Sequence, residues 1–407
     1  MKRAFTLMIA LILVCASVFA LGSCGDPVPG PQGEKGEKGD KGDTPTITIS
    51  EDGYWVINGE KTNVRAEADG GSSDAENPQG LAFYLKDDGT YAVAIGNAKY
   101  LSKIVIPATY CGKAVTEIAT LGFGDDSVGN TVLKEITIPD SVTSIGDKAF
   151  YACRSLTGVT IPDSVTSIGI RAFQSCDSLT SVTIGNGVTS ISDYAFYKCS
   201  ILTGVTIGNS VTSIGDYAFY NCSSLTGVAI PDSVTNIGNS AFYGCDSLTG
   251  VTIGNGVTSI GSSAFSSCSS LANISVDVNN EYYSSLDGNL YDKNQTTLIQ
   301  YAIGKTNTHF VIPSTVTRIG NNAFSGCSSL ISVTIGNGVT RIGNNAFEYC
   351  SSLNTVYYTG TATEWGGISI PYGNDYLKNA TRYYYSESEP TTQGKFWHYI
   401  DGVPTKW

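Results

Sequence analysis

Cysteine is the residue that most invites a chemical reading of this sequence. Of eleven cysteines, Cys153, Cys176, Cys199, Cys222, Cys245 and Cys268 recur at a step of 23 residues, and Cys327 and Cys350 resume that step. Evenly spaced thiols could form disulfides between neighbouring turns, hold a metal, or make a row of small buried side chains. A zinc site needs Cys-x-x-Cys pairs or clustered histidines, and the sequence has neither. Free cysteine packs as a small apolar group, so the spacing predicts a buried ladder, with coil-to-coil disulfides as the alternative. Cys111 falls outside that ladder. His309 and His398 are the only histidines, and there is no Gly-x-Ser-x-Gly, phosphate loop or metalloprotease helix. Asp147, Asp193 and Asp216 repeat at one place, as residues of a solvated edge would. The sequence predicts no catalytic residue, no cofactor and no metal.

A repeat positions these thiols. Its clearest copy runs Leu156-Thr157-Gly158-Val159-Thr160-Ile161-Pro162-Asp163-Ser164-Val165-Thr166-Ser167-Ile168-Gly169 and continues to Ala172-Phe173 and Cys176. Phe150, Phe173, Phe196, Phe219, Phe242 and Phe265 keep the same 23-residue step. A fixed period of this length marks a solenoid. Leu156, Val159, Ile161, Val165, Ile168, Ala172, Phe173 and Cys176 are expected to point inward. Val159 to Ile161 reads as a short strand that stops at Pro162, because proline cannot donate to a sheet ladder. A second short strand or a helical turn is expected between Val165 and Phe173. Stacked copies make a parallel sheet with strands about 4.8 Å apart, and such an array must be capped at both ends. The outward positions of the strand hold Thr160, Thr183, Thr206 and Thr252 among glycines and serines. They form a small, neutral, flat face and are the first candidates for binding.

The array departs from its period in three places. Phe123 precedes Phe150 by 27 residues, which places a short insertion within Gly124 to Asn130. Phe265 and Phe324 are 59 residues apart, so a β excursion is inserted over 277–310, with Asp287-Gly288 as a hairpin turn. Nine phenylalanine anchors predict about nine coils. Beyond the repeats, which span 81–358, the segment 359–407 is rich in aromatics and suggests a terminal hairpin around Trp397 to Val403. It reads as a cap, or as an aromatic platform for sugars in which Trp397, Tyr399 and Trp407 offer apolar faces with polar tips.

The N-terminal part has a different composition. Lys2 and Arg3 precede an apolar run that ends in Leu21-Gly22-Ser23-Cys24, so residues 1–23 read as a secretory signal. That junction resembles a bacterial lipobox, which implies cleavage before Cys24, lipid attachment to its thiol, and a membrane anchor. Residues 24–45 carry five collagen-like triplets, Gly30 to Thr44. They read as a hydrated spacer, with a trimerising stalk as the alternative. Residues 46–68 alternate as two or three short strands, and 69–80 form a linker. The net charge of −12 becomes −14 once residues 1–23, with two bases and no acid, are removed. Such a chain repels nucleic acid.

The recurring Ser-Leu-x-x-Val-x-Ile-Pro-x-Ser-Val-Thr-x-Ile-Gly-x-x-Ala-Phe-x-x-Cys resembles the BspA-like (Treponema-type) leucine-rich repeat over about Tyr100 to Tyr358. The resemblance implies a β-rich solenoid, a right-handed coil with a parallel sheet, here preceded by the small β module. It also implies a non-catalytic cell-surface protein, in some members adhesin-like, that binds host or microbial proteins. Binding of envelope or host glycans, and a passive structural role, are the alternatives.

Overall fold

The computed structural model describes residues 47–49, 54–57, 60–65, 77, 79–125 and 129–407. Cys24, the signal and the collagen-like triplets lie outside these residues, as does part of the insertion expected after Gly124. The chain divides into two units, Met1–Gly80 and Leu81–Trp407. In the first, Ile47–Ile49, Tyr54–Ile57 and Glu60–Arg65 form an antiparallel three-stranded sheet.

The second unit is a β-solenoid of about 13 turns with almost no helix. It exceeds the nine coils expected because coils at both ends and one inside the insertion lack the phenylalanine. Two parallel ladders follow the repeat. The long-strand ladder holds Gly158–Ile161, Ser181–Ile184 and Gly204–Thr206 in register, so that Val159 pairs with Val182 and Val182 with Val205. The first two end where Pro162 and Gly185 follow, and the third ends at Thr206, just ahead of Ile207-Gly208. The short-strand ladder runs through Ser144–Ile145, Ser167–Ile168, Ser190–Ile191, Ser213–Ile214 and Asn236–Ile237 to Ser259–Ile260. Threonine supports both from outside. Thr157, Thr180, Thr203, Thr226 and Thr249 each donate a hydroxyl hydrogen to a carbonyl one coil back. Thr143, Thr166, Thr189, Thr212, Thr235 and Thr258 do the same beside the short strands.

A third wall is built around the phenylalanine. The N–H of Phe150 donates to Ala172 O at 2.7 Å, and Phe173, Phe196, Phe219 and Phe242 repeat the bond to the following coil. The residues two before and two after each phenylalanine donate across in the same direction, as Arg171 does to Asp193 O and Ser175 to Tyr197 O. To aim these N–H groups the backbone turns left-handed at both places, with φ of 59° at Arg171 and 58° at Ser175. Side chains on left-handed backbone cost about 1–2 kcal/mol each, and the inter-coil bond is what holds them there.

Inside this wall the phenylalanine rings stack, with centroids 4.9 Å apart for Phe150 and Phe173 and 5.2 Å for Phe173 and Phe196. The eight ladder cysteines are buried and free. They do more than fill space. Cys176 Sγ donates to Phe150 O at 3.2 Å, and Cys153, Cys199, Cys222, Cys245, Cys268 and Cys350 make the same bond one coil back. Cys111 is half-buried against the first coils.

The insertion breaks the stack. Tyr283–Leu286 and Asn289–Asp292 form the expected hairpin, turning through left-handed Asp287 and Gly288. Tyr301 then takes the phenylalanine place, 23 residues before Phe324, with its ring 5.1 Å from that of Phe324 and its N–H donating to Ala323 O. The core accordingly divides into two clusters, one ending at Leu290 and one beginning at Tyr291.

The C-terminal segment extends the array before closing it. Thr381–Tyr385 pairs parallel with Thr355–Tyr358, and the hairpin Phe396–Ile400 with Val403–Lys406 follows. The wall donors of the last repeat find new acceptors here. Asn345 N–H bonds Tyr372 O, and Phe347 N–H bonds the buried Asn374 Oδ1.

Two outcomes test this packing. Phe219→Ala, which removes a ring stacked between two others, is expected to cost about 3–5 kcal/mol in urea unfolding, and a loss below about 1 kcal/mol contradicts the stack. The eight ladder thiols are expected to resist a thiol reagent in the native protein and to react together on unfolding. Release of fewer than eight points to disulfides instead.

Candidate functional site

The long-strand sheet is the surface on which side chains are spaced by backbone register and left uncovered. Thr160, Thr183 and Thr206 stand in adjacent strands in direct register, and Thr252 pairs with Ala229 and Ser275 further along. All four threonines are exposed. The row is interrupted, because Gly204–Thr206 and Gly227–Ile230 belong to separate sheets. Beside the break lies an open cleft of about 590 Å³, whose floor includes Ile230, Pro231 and Ile253 and whose polar lining is Asn209, Asp232, Ser233, Thr252, Ser275 and Asp277. The polar groups are hydroxyl-rich and partly acidic, suited to hydrogen-bonding a polar partner.

The face changes character towards the C-terminus. His309 reaches the neighbouring strand with both ring nitrogens, Nδ1 to Ser332 Oγ at 2.8 Å and Nε2 to Thr334 Oγ1 at 3.3 Å. Burial lowers its pKa from the ordinary histidine value, partly offset by the bond to Ser332. Its ring meets Tyr357 edge-on at 5.9 Å, and Tyr357 lies 5.9 Å from Tyr383, over which Lys406 Nζ sits at 4.6 Å. His309 is a satisfied member of an aromatic cluster.

The three aromatic residues expected to form one platform do not come together. Trp397 is fully buried, its Nε1–H donating to Tyr358 O at 2.9 Å beneath Tyr357, Tyr385 and Tyr399. It therefore fixes the terminal hairpin to the last coils and offers no face to a ligand. Tyr399 is 42% exposed beside it. Trp407 packs on His398 at 3.7 Å, with Nε1–H donating to Ser386 O, and is 44% exposed. In the hairpin register Trp397 faces Lys406 and His398 faces Thr405, which puts the Trp407–His398 pair on the opposite side from Trp397 and Tyr399. Only alternation along the strand separates them, and a strongly aromatic segment hides that alternation.

Two features went unread in the sequence. Tyr194 and Tyr217 stack at 4.8 Å on the outer wall, and Tyr197, Tyr220 and Tyr243 stack at 5.1 and 5.0 Å beside them, with the Arg171 guanidinium 5.0 Å from the Tyr194 ring. Their 23-residue spacing was the available signal. The aspartate edge is also structural, since Asp147, Asp193 and Asp216 accept the N–H of Ile170, Asp216 and Asn239 one coil on.

The thiols are not poised for chemistry. Burial pushes Cys176, Cys222 and Cys245 well above the ordinary thiol range and Cys327 up to about 12. A thiolate is the reactive and metal-binding form, and in these four residues it is suppressed. Among the described residues no group of three His, Cys, Asp or Glu side chains could hold a metal ion.

Known proteins share this architecture. A leucine rich cell surface protein from Faecalibacterium prausnitzii A2-165 is 30% identical, with 74% of this chain and 97% of that one covered and a TM-score of 0.52. A leucine-rich repeat protein from Eubacterium ventriosum is 24% identical over 75% of this chain and 76% of its own, with a TM-score of 0.44. Another from Bacteroides ovatus is 22% identical over 75% and 98%, with a TM-score of 0.40. No curated protein matches the chain. The BspA type leucine rich repeat region matches in six copies over residues 122–214, 189–287 and 296–369. Those copies carry the stacked phenylalanines and the thiol ladder over more than half of the sequence, and the protein belongs to the BspA type leucine rich repeat family.

Proposed function

We propose that the protein is displayed outside the cell, anchored through a lipid on Cys24, and recognises a host or microbial protein in the manner of an adhesin, without catalysis. The observation that carries this reading is the exposed, in-register row of Thr160, Thr183 and Thr206 on a sheet that no other part of the described solenoid covers. A regular sheet face offers a partner many weak polar contacts on a rigid support, so little ordering entropy is lost on binding. Family membership and the description of the Faecalibacterium relative as a cell surface protein support the location. The half-buried His309, with both nitrogens engaged, and the suppressed thiols leave no activated nucleophile on this face.

A second reading, recognition of envelope or host glycans, rests on Trp407. Its indole is held from one side by His398 and is exposed on the other, an arrangement suited to stacking against a sugar ring.

Binding of the mature protein to immobilised matrix proteins and to glycan arrays separates the two readings. Thr183→Arg combined with Thr206→Arg is expected to weaken a protein ligand by about tenfold or more while leaving the unfolding transition in place. Trp407→Ala is expected to leave protein binding intact. Glycan retention lost on Trp407→Ala, with no protein bound, overturns the first reading, and a protein that binds neither class is a passive structural element.

A further inference from the structure

The insertion holds a lysine and a carboxamide arranged for a bond that the sequence does not announce. Asn289 begins the second strand of the inserted hairpin and is fully buried. Its Oδ1 accepts the Ala302 N–H at 3.0 Å and the Lys305 Nζ at 3.2 Å. Its buried Nδ2 makes no hydrogen bond of good geometry, and its approach to the Tyr291 hydroxyl only partly offsets the rise that burial gives that group's pKa. A buried amide whose donors are so poorly satisfied is costly and needs an explanation. Lys305 Nζ also donates to the Asp287 backbone oxygen and lies 5.5 Å from the centre of the Tyr301 ring.

We propose that Lys305 and Asn289 form an intramolecular isopeptide bond, which ties the inserted hairpin to the chain that re-enters the solenoid. In this step the Lys305 amine attacks Asn289 Cγ, a new Nζ–Cγ bond forms, the Cγ–Nδ2 bond breaks, and ammonia leaves. The lysine must first lose a proton, and its hydrogen is passed to Nδ2 as that group departs. No oxidant or reductant is involved.

Each requirement of the reaction has a counterpart at the site. Burial holds the Lys305 ammonium below its ordinary pKa, opposed by the charge of Asp287, so the neutral amine is more accessible than on an exposed lysine. Lys305 is only half-buried, so solvent takes the proton that its ammonium loses. The Ala302 N–H already points at Oδ1, where negative charge gathers as the carbonyl carbon becomes tetrahedral, and Ala302 is itself fully buried. A fixed backbone donor in a water-poor site stabilises such charge strongly. Both reacting groups are held before reaction. Left-handed Asp287 and Gly288 close the hairpin that places Asn289. Lys305 ends a turn whose N–H bonds Ala302 O, with Gly304 N–H tied to Leu271 O. At Gly304 an added Cβ would lie 2.2 Å from the Ser270 carbonyl carbon, so the chain passes too close there for any other residue. Holding both partners at contact distance removes much of the entropic barrier to attack.

Mass spectrometry of the purified, denatured and reduced protein tests this directly. The expected mass is one ammonia below that of the sequence, and digestion is expected to yield one branched peptide containing both Asn289 and Lys305. Lys305→Arg and Asn289→Ala should each restore the full mass. A full-mass wild-type protein overturns the proposal. So does ammonia loss with Asn289 and Lys305 recovered on separate linear peptides, the pattern of succinimide formation at an Asn-Gly pair such as Asn186-Gly187. The wild-type result decides even if a variant fails to fold.

Discussion

Each coil leaves the N–H groups around its phenylalanine for the following coil to accept, and takes the S–H of the following cysteine onto its own phenylalanine carbonyl. That exchange is the constraint on which the solenoid depends. No coil can satisfy its own wall, because the left-handed residues on either side of the phenylalanine turn their donors out of the coil. The wall is also directional, with donors facing the C-terminal end. An array built this way cannot simply stop. Its last repeat needs acceptors, which Tyr372 O and the buried Asn374 side chain supply. Asn374 Nδ2 in turn donates to Gly343 O at 2.9 Å, so one residue serves the wall on both sides.

The sequence reveals the parts of this scheme that recur as residue types. The stacked phenylalanines, the strand that ends at Pro162, the free cysteine ladder and the turn at Asp287-Gly288 all appear where their spacing places them. What stayed hidden was a function of geometry. Left-handed positions are usually read from glycine, but here Lys148, Arg171, Tyr194 and Tyr217 occupy them, because the inter-coil bond fixes the conformation whatever the side chain. Tyr301 continues the phenylalanine series with a different ring, which the spacing of phenylalanine alone does not reveal. Cysteine composition cannot distinguish a small apolar filler from a donor, and the ladder is both. Trp397 looked like a surface aromatic in a segment full of them, yet its depth depends on which side of the hairpin faces Tyr357.

The same bookkeeping of hydrogen bonds narrows the binding surface. Threonine is abundant, and two of its rows are consumed in bonds to carbonyls one coil back. Those hydroxyls are part of the scaffold. The row of Thr160, Thr183, Thr206 and Thr252 is spaced by the sheet itself and stands exposed on its outer side. A partner that reads polar groups therefore meets this row first, with the cleft near Asp232 and Asp277 at its edge. The stacked tyrosines of the outer wall present mostly edges, because each ring covers its neighbour.

Buried polar residues mark where the period fails. Among the described residues none lies between Leu81 and Phe265, whereas Ser266, Asn280, Asn289, Gln300, Ser325, Thr334, Thr355 and Asn374 follow. Regular coils satisfy their backbone by translation and have no need of such groups. Once the insertion disturbs the translation, side chains must take over. Asn280 accepts from the N–H groups of Tyr282 and Tyr283 and donates to Gly254 O and Val257 O, which pins the start of the excursion to the coil above. Gln300 bridges Ser266 to Tyr301 O and Ala323 O across the divided core. Asn289 differs from these two. It uses its oxygen twice, while its nitrogen makes no hydrogen bond of good geometry. Asn280 and Gln300 hold the insertion with hydrogen bonds that their geometry completes. Asn289 has a polarised carbonyl facing an amine and a poorly bonded amide nitrogen, which is the arrangement that the proposed release of ammonia requires.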